Sequence, residues 1–202
     1  MPKTQIQVKC RLDIGRTKRN GHNMKKNFDK CLEMLLHHEG GFTADKRDKG
    51  NAGDGHGNQG STMLGVTSKV WADWTGKPAP IEVMRALKAE DVAPLYKKKY
   101  WDRLQCDNLQ NGVDCCAFDW GVNSGTGRAG KALQKIVGAT QDGVIGVKSI
   151  RLIEKQDPKY LIEQMYKVRQ EFYEGLSDFE HFGRGWTRRN DETKRQALDL
   201  IQ

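Results

Sequence analysis

Apolar residues return at helical spacing along several stretches of this 202-residue chain, and the gaps between them carry turn-forming residues. Phe28, Cys31, Leu32, Leu35 and Leu36 form one such stripe. It predicts a helix from Phe28 to His38, with Asn27 as N-cap and Gly40–Gly41 as the stop. From Thr43 to Thr67 the chain is polar and glycine-rich, too irregular for helix and too polar for a buried strand. Loops and a short twisted β-hairpin are predicted there. Helical periodicity resumes over Ser68–Trp74, Ile81–Leu87, Ala89–Tyr100, Val113–Asn123, Arg128–Val137 and Lys159–Leu176. Pro158 opens the last of these, at a position where the missing N–H is no loss. A short helix from Asp191 to Ile201 is predicted to close the chain, and Asp142–Gly146 (DGVIG) reads as a tight turn between two helices. The fold class is therefore mostly α: a helical bundle with one small β-hairpin and loop region in the N-terminal third.

The 37% hydrophobic and 30% charged composition is that of a globular chain. No apolar run approaches the roughly 20 residues of a membrane span. The net charge of +8 suggests a polyanion partner at first, but its distribution weakens that reading. Residues 1–23 hold six basic residues against one acid, a net of +5, which leaves +3 on the remaining body. No nucleic acid partner is expected, and the chain is read as a monomer. Residues 1–23 show no periodicity and read as a disordered leader or upstream extension, with Met24, just before the first amphipathic helix, as the natural start. A basic arm binding nucleic acid or an anionic envelope is the alternative for them. Five cysteines, an odd number that includes the adjacent pair Cys115–Cys116, do not form a disulfide framework. Without a CxxC or HExxH spacing, neither a metal nor a cofactor is expected.

Glu39 is the residue that points to chemistry. It lies seven residues after Leu32 and four after Leu35, so on a helix it closes the apolar stripe where the helix ends. An aliphatic setting and the negative end of the helix dipole both disfavour a carboxylate and raise its pKa. That suits a carboxylic acid which protonates a glycosidic oxygen. On spacing alone, a solvated Glu at a frayed helix end is the preferred reading, and it is the company Glu39 keeps that reverses the preference. Asp119 and Asn123, four apart on one helix, read either as part of a cleft floor with Ser124 or as a polar stitch between helices. Trp71, Trp74, Tyr100, Trp101, Trp120 and Trp186 are aromatic candidates for sugar stacking, although most aromatic residues are core.

Six motifs in order resemble the glycoside hydrolase family 108 muramidases: HEGGF (His38–Phe42), GSTMLGVT (Gly60–Thr67), YKKKYWD (Tyr96–Asp102), FDWGVNSGTGRA (Phe118–Ala129), the LQ…DGVIG stretch (Leu133–Gly146) and FGRGWTRR (Phe182–Arg189). The resemblance implies an α+β, lysozyme-like fold whose hairpin lines a substrate cleft. It implies Glu39 as the catalytic acid, Asp48 and Thr62 as the residues that hold the attacking water in a single displacement, and Asn123, Ser124, Trp120 and Tyr100 as substrate-binding residues. The sequence departs from the family pattern in one place. Asp48 stands the expected nine residues after Glu39, but Thr62 follows after fourteen residues rather than five, as though NAGDGHGNQ (Asn51–Gln59) were inserted. Asp54 and Asp45 are the alternatives for the second carboxylate. Residues 24–110 are assigned to catalysis and 111–202 to a helical part resembling a peptidoglycan-binding module, the two possibly forming one body. The implied activity is a peptidoglycan hydrolase (N-acetylmuramidase, lysozyme) that cuts the β-1,4 bond between N-acetylmuramic acid and N-acetylglucosamine in bacterial lysis. A lytic transglycosylase and a non-catalytic wall-binding protein are the alternatives. A phage endolysin made in the host cytoplasm would reach the wall through a separate holin-like protein, and a secretion system is the other route.

Overall fold

The computed structural model describes residues 21–202. Residues 1–20, and with them most of the stretch read as a leader, lie outside the described residues. Helix α1 spans Gly21–Glu39, and it is followed by a 3-10 turn at Lys49–Asn51. Strands β1 (Thr62–Met63) and β2 (Val66–Thr67) pair antiparallel, Thr62 with Thr67 and Met63 with Val66. Then come α2 (Ser68–Thr75), α3 (Ile81–Arg85), α4 (Ala89–Tyr96), a π-helical turn at Lys97–Trp101 and a 3-10 turn at Cys106–Asn108. The rest is helical: α5 (Val113–Ser124), α6 (Thr126–Ile136), α7 (Val147–Ile153), α8 (Pro158–Glu174) and α9 (Phe179–Asp199). The predicted class, mostly α with one hairpin, is the observed one.

Helices α1 and α9 and the α4 region differ from the sequence expectation. Helix α1 begins well before Asn27, so Asn27 does not cap it. Its buried side chain instead donates to Asn111 Oδ1 at 3.0 Å and to Asp114 Oδ2 at 2.9 Å, bolting α1 to the start of α5. Helix α9 starts at Phe179, twelve residues before its expected start at Asp191. Gly183 and Gly185 argue against helix there, but the ring of Phe179 packs where a Cβ on Gly183 would stand. Packing of this ring, one turn earlier on the same helix, offsets a glycine that costs about 1 kcal/mol in an isolated helix. The predicted helix over Ala89–Tyr100 keeps its extent but changes to π geometry at Lys97.

Helix α5 runs through the centre and is buried along nearly its whole length, packing against α1, α6, α8 and α9. Phe118 meets Phe28, Trp101 and Tyr96 edge-on at centroid separations of 5.9, 5.4 and 6.4 Å. Full burial of each such ring contributes roughly 1.5–3 kcal/mol. Trp101 and Trp120 lie inside this core, 0% and 1% exposed. The substrate-binding role expected for Trp120 is therefore corrected: no sugar reaches its ring.

Burial also acts on Asp114, whose carboxyl is pushed up to about 6 despite the bond from Asn27. A folded-state value above the unfolded one near 3.8 means that the folded chain binds more protons between these values. Stability then falls as pH rises through that window, by roughly 3 kcal/mol for a shift of this size. Asp114→Asn is expected to abolish this decline, with urea midpoints that match wild type near pH 4 and exceed it at pH 7. A midpoint that drops at pH 7 would contradict the assignment.

Candidate active site

Glu39 is the last residue of α1, where the glycines that follow end the helix and turn the chain toward the hairpin. Leu32 and Leu35 are buried on the same face, as the spacing predicts. The purely aliphatic setting is corrected, however. Arg189 Nη2, on α9, donates to Glu39 Oε1 at 2.8 Å, with the Glu39 side chain 20% exposed. Two residues distant by 150 positions thus form one ion pair.

On the other side stands the hairpin. Leu64 and Gly65 form a two-residue turn, with φ of 50° and 74°. Positive φ at both central residues gives the type I′ twist that suits tight hairpins. A Cβ on Gly65 would meet the Tyr96 hydroxyl at 2.6 Å and Glu39 Oε2 at 2.9 Å, so glycine lets the turn close directly over the carboxylate. Leu64 takes a left-handed conformation that side-chain residues rarely adopt, and the Tyr96 hydroxyl holds its carbonyl at 2.8 Å. Tyr96 and Tyr100 lie 5.7 Å apart, and both phenols are raised, first by burial and then by the charge of Glu39. The structure thus brings the predicted Tyr100 alongside Glu39.

Behind Arg189 lies a buried charge network. Asp119 Oδ1 accepts from Arg189 Nη2 at 2.8 Å and Oδ2 pairs with Arg169 Nη1 at 2.7 Å. Thr193 Oγ1 donates to Oδ2 at 3.2 Å. Burial alone would raise the Asp119 carboxyl, but the two guanidinium groups more than offset it and hold it at about 2. Arg189 moves the opposite way: burial pulls it down, and the charges of Asp119 and Glu39 lift it above its ordinary value. The network continues outward from Arg169 Nε to the Tyr173 hydroxyl, and from that hydroxyl to Asn123 Oδ1, both at 2.7 Å. Ser124 Oγ also donates to Asn123 Oδ1, at 2.8 Å. Asp119 is thus a stitch between α5, α8 and α9, and the exposed Asn123 is its outlet to the surface.

The family model described as Glycosyl hydrolase 108 matches residues 32–125, a stretch that begins inside α1 and ends just past α5. A solved structure, SagA of Brucella abortus, is 32% identical, with the match covering 87% of this chain and 96% of that one at a TM-score of 0.73. This chain belongs to the glycosyl hydrolase 108 family. No curated protein sequence matches it at a significant level.

In this glycosyl hydrolase 108 chain the apparent insertion is resolved by closure of its base. A Cβ on Gly60 would collide with the backbone of Asn51 and Gly53, so the two ends of the loop adjoin. Asn51, buried, accepts from Thr62 Oγ1 at 2.7 Å and donates to the Asp45 carbonyl at 3.0 Å. The extra residues therefore bulge outward, and Thr62 returns to the Asp48–Asn51 turn. Asp48 is exposed and caps that turn, accepting from the Gly50 amide at 2.8 Å.

The two alternative carboxylates have other tasks. Asp54 is wholly buried and accepts from the amides of His56, Asn58 and Ala79 and from Asn58 Nδ2. Burial opposes ionisation, but these donors hold its carboxyl below the usual range. It staples the inserted loop to residue 79 and faces no cleft, which corrects its standing as a second carboxylate. Asp45 is exposed and clamps Arg47 at 2.7 Å. Sequence reasoning missed the roles of Arg189, Arg169, Tyr173, Tyr96, Leu64 and Asn51. The only signal for Arg189 was its place in FGRGWTRR, which carries no chemistry by itself.

Proposed function

We propose that this glycoside hydrolase is an N-acetylmuramidase that cleaves the β-1,4 bond between N-acetylmuramic acid and N-acetylglucosamine in peptidoglycan. The observation that carries the reading is the placement of Glu39, where α1, the hairpin, the tyrosines of the α4 region and α9 converge. Arg189 pins Oε1, which leaves Oε2, beside Gly65, to deliver a proton to the glycosidic oxygen. Asp48 and Thr62 hold the attacking water: the Thr62 hydroxyl proton is committed to Asn51, so its lone pairs face the water as acceptors. The charge of Asp48 then drives removal of the water's proton.

Residues 24–110 supply the acid and the hairpin, and residues 111–202 supply Asp119 and Arg189, so the proposed site spans both parts. Wall binding by 111–202 belongs to the same proposal. Its DGVIG turn is held by Gln134, which accepts from the Gly143 amide at 2.8 Å and donates to Asp142 Oδ1 at 2.7 Å. Among the described residues no helix is long and apolar enough to cross a membrane. Delivery of an endolysin by a separate holin-like protein, or by a secretion system, completes the reading.

Mass spectrometry of fragments released from purified sacculi tests the reaction. Hydrolysis gives muramic acid with a free reducing end. Fragments that end mainly in 1,6-anhydromuramic acid would replace the muramidase with a lytic transglycosylase. Sacculi that are bound but release no fragments would reduce the protein to a wall binder.

A further inference from the structure

Helix α9 carries more than Arg189 toward the site. Phe182, Trp186, Arg189 and Thr193 are spaced by four, three and four residues, so they share one face of the helix. Thr193 and Arg189 on that face bond Asp119 and Glu39. Phe182 and Trp186 continue the same face toward the N-terminus. At 1.5 Å per residue, Phe182 lies about 10 Å along the axis from Arg189, a span for linked sugar rings rather than a single one.

These two aromatics form a surface, not a core. Phe182 is 58% exposed, the ring centroids of Phe182 and Trp186 are 5.9 Å apart, and their planes differ by 30°. Tyr173, 2% exposed, backs Trp186 at 5.5 Å and fixes its tilt. The Tyr173 hydroxyl also donates to Asn123 Oδ1. Because that oxygen accepts from both Tyr173 and Ser124, the amide orientation is set and its Nδ2 donors are left for a ligand. An exposed apolar plane beside an oriented amide suits the apolar face and acetamido carbonyl of an N-acetylated pyranose.

We propose that Phe182 and Trp186, with Asn123, form a sugar-binding subsite that extends the Glu39 site along α9 and holds an N-acetylhexosamine of the glycan. This rests on the reading of Glu39 as the site of glycan cleavage, and the test separates the two. The probe is the β-1,4-linked tetramer of N-acetylglucosamine, titrated calorimetrically onto the uncleaving Glu39→Gln protein and onto the same protein with Phe182→Ala, Phe182→Tyr or Tyr160→Ala added. Removing half a ring's contact area weakens binding roughly 5–10-fold. Phe182→Ala is expected to show that loss, Phe182→Tyr to retain the affinity, and Tyr160→Ala, at an exposed phenol on α8, to leave it unchanged. In the wild-type background, Phe182→Ala raises KM on soluble peptidoglycan by more than it lowers kcat. Equal affinity with and without the Phe182 ring overturns the subsite, as does absence of tetramer binding to Glu39→Gln. Phe182-dependent binding by a protein that releases no reducing ends from sacculi leaves the subsite standing and removes the hydrolase reading.

Discussion

Glu39→Gln is expected to slow peptidoglycan hydrolysis by about 10²–10⁴-fold, the span that a positioned general acid contributes. The substitution is nearly isosteric. Its amide oxygen still accepts from Arg189 Nη2, and the hairpin still closes over it at Gly65, so the fold and the sugar contacts persist. What disappears is a group able to hand a proton to the leaving oxygen. Thermal midpoints close to wild type, with tetramer binding retained, identify the loss as chemical. Glu39→Asp is expected to fall between the two, because a shorter side chain withdraws from both Arg189 and the hairpin. Near wild-type clearance of sacculi by Glu39→Gln would sink the catalytic assignment outright.

The second large effect is on stability. Asp119, 4% exposed, is the anion between two guanidinium groups, Arg169 and Arg189. Asp119→Asn leaves those charges facing each other in a poorly solvated space, and breaking such a buried arrangement costs about 3–5 kcal/mol. A drop of that size in urea unfolding free energy is expected, with activity also reduced because Arg189 loses its anchor and with it the orientation of Glu39. A loss under about 1 kcal/mol would show that Asp119 is not the keystone of the network. Replacing Asp119 and Arg169 together by apolar residues of similar volume is expected to recover part of the stability. The pH dependence has a definite sign. The Asp119 carboxyl is held at about 2 against an ordinary value of 3.8, so its contribution is present above pH 4 and is lost as pH falls from 4 through 2. Asp114 acts in the opposite direction at higher pH, and the two carboxylates together place the stability maximum on the acidic side of neutrality.

Much of the architecture is legible in the apolar pattern. The stripes that predicted α2, α5, α6 and α8 ended within one or two residues of the observed helices. Helix α7 was not predicted, because Val147–Ile153 is too short for a convincing stripe, and Val147 is in fact 64% exposed. Glu39 was legible because its position relative to Leu32 and Leu35 is a local matter of helical geometry. Its partner was not: Arg189 lies in a segment that the two glycines made look like a loop. The displaced spacing of Asp48 and Thr62 likewise raised Asp54 as a rival, and only the tertiary structure shows that the ends of the loop adjoin at Asn51 and Gly60 and that Thr62 bonds Asn51.

Taken alone, the residues determined which segments become helices, where the small hairpin falls and which glutamate closes an apolar stripe, since each depends on neighbours a few positions away. The tertiary structure decided which charges meet: Arg189 on Glu39, two arginines on Asp119, four hydrogen bonds on Asp54. A side chain's electrostatic setting is the sum of burial and of groups brought close from distant parts of the chain, and periodicity contains no information about that sum.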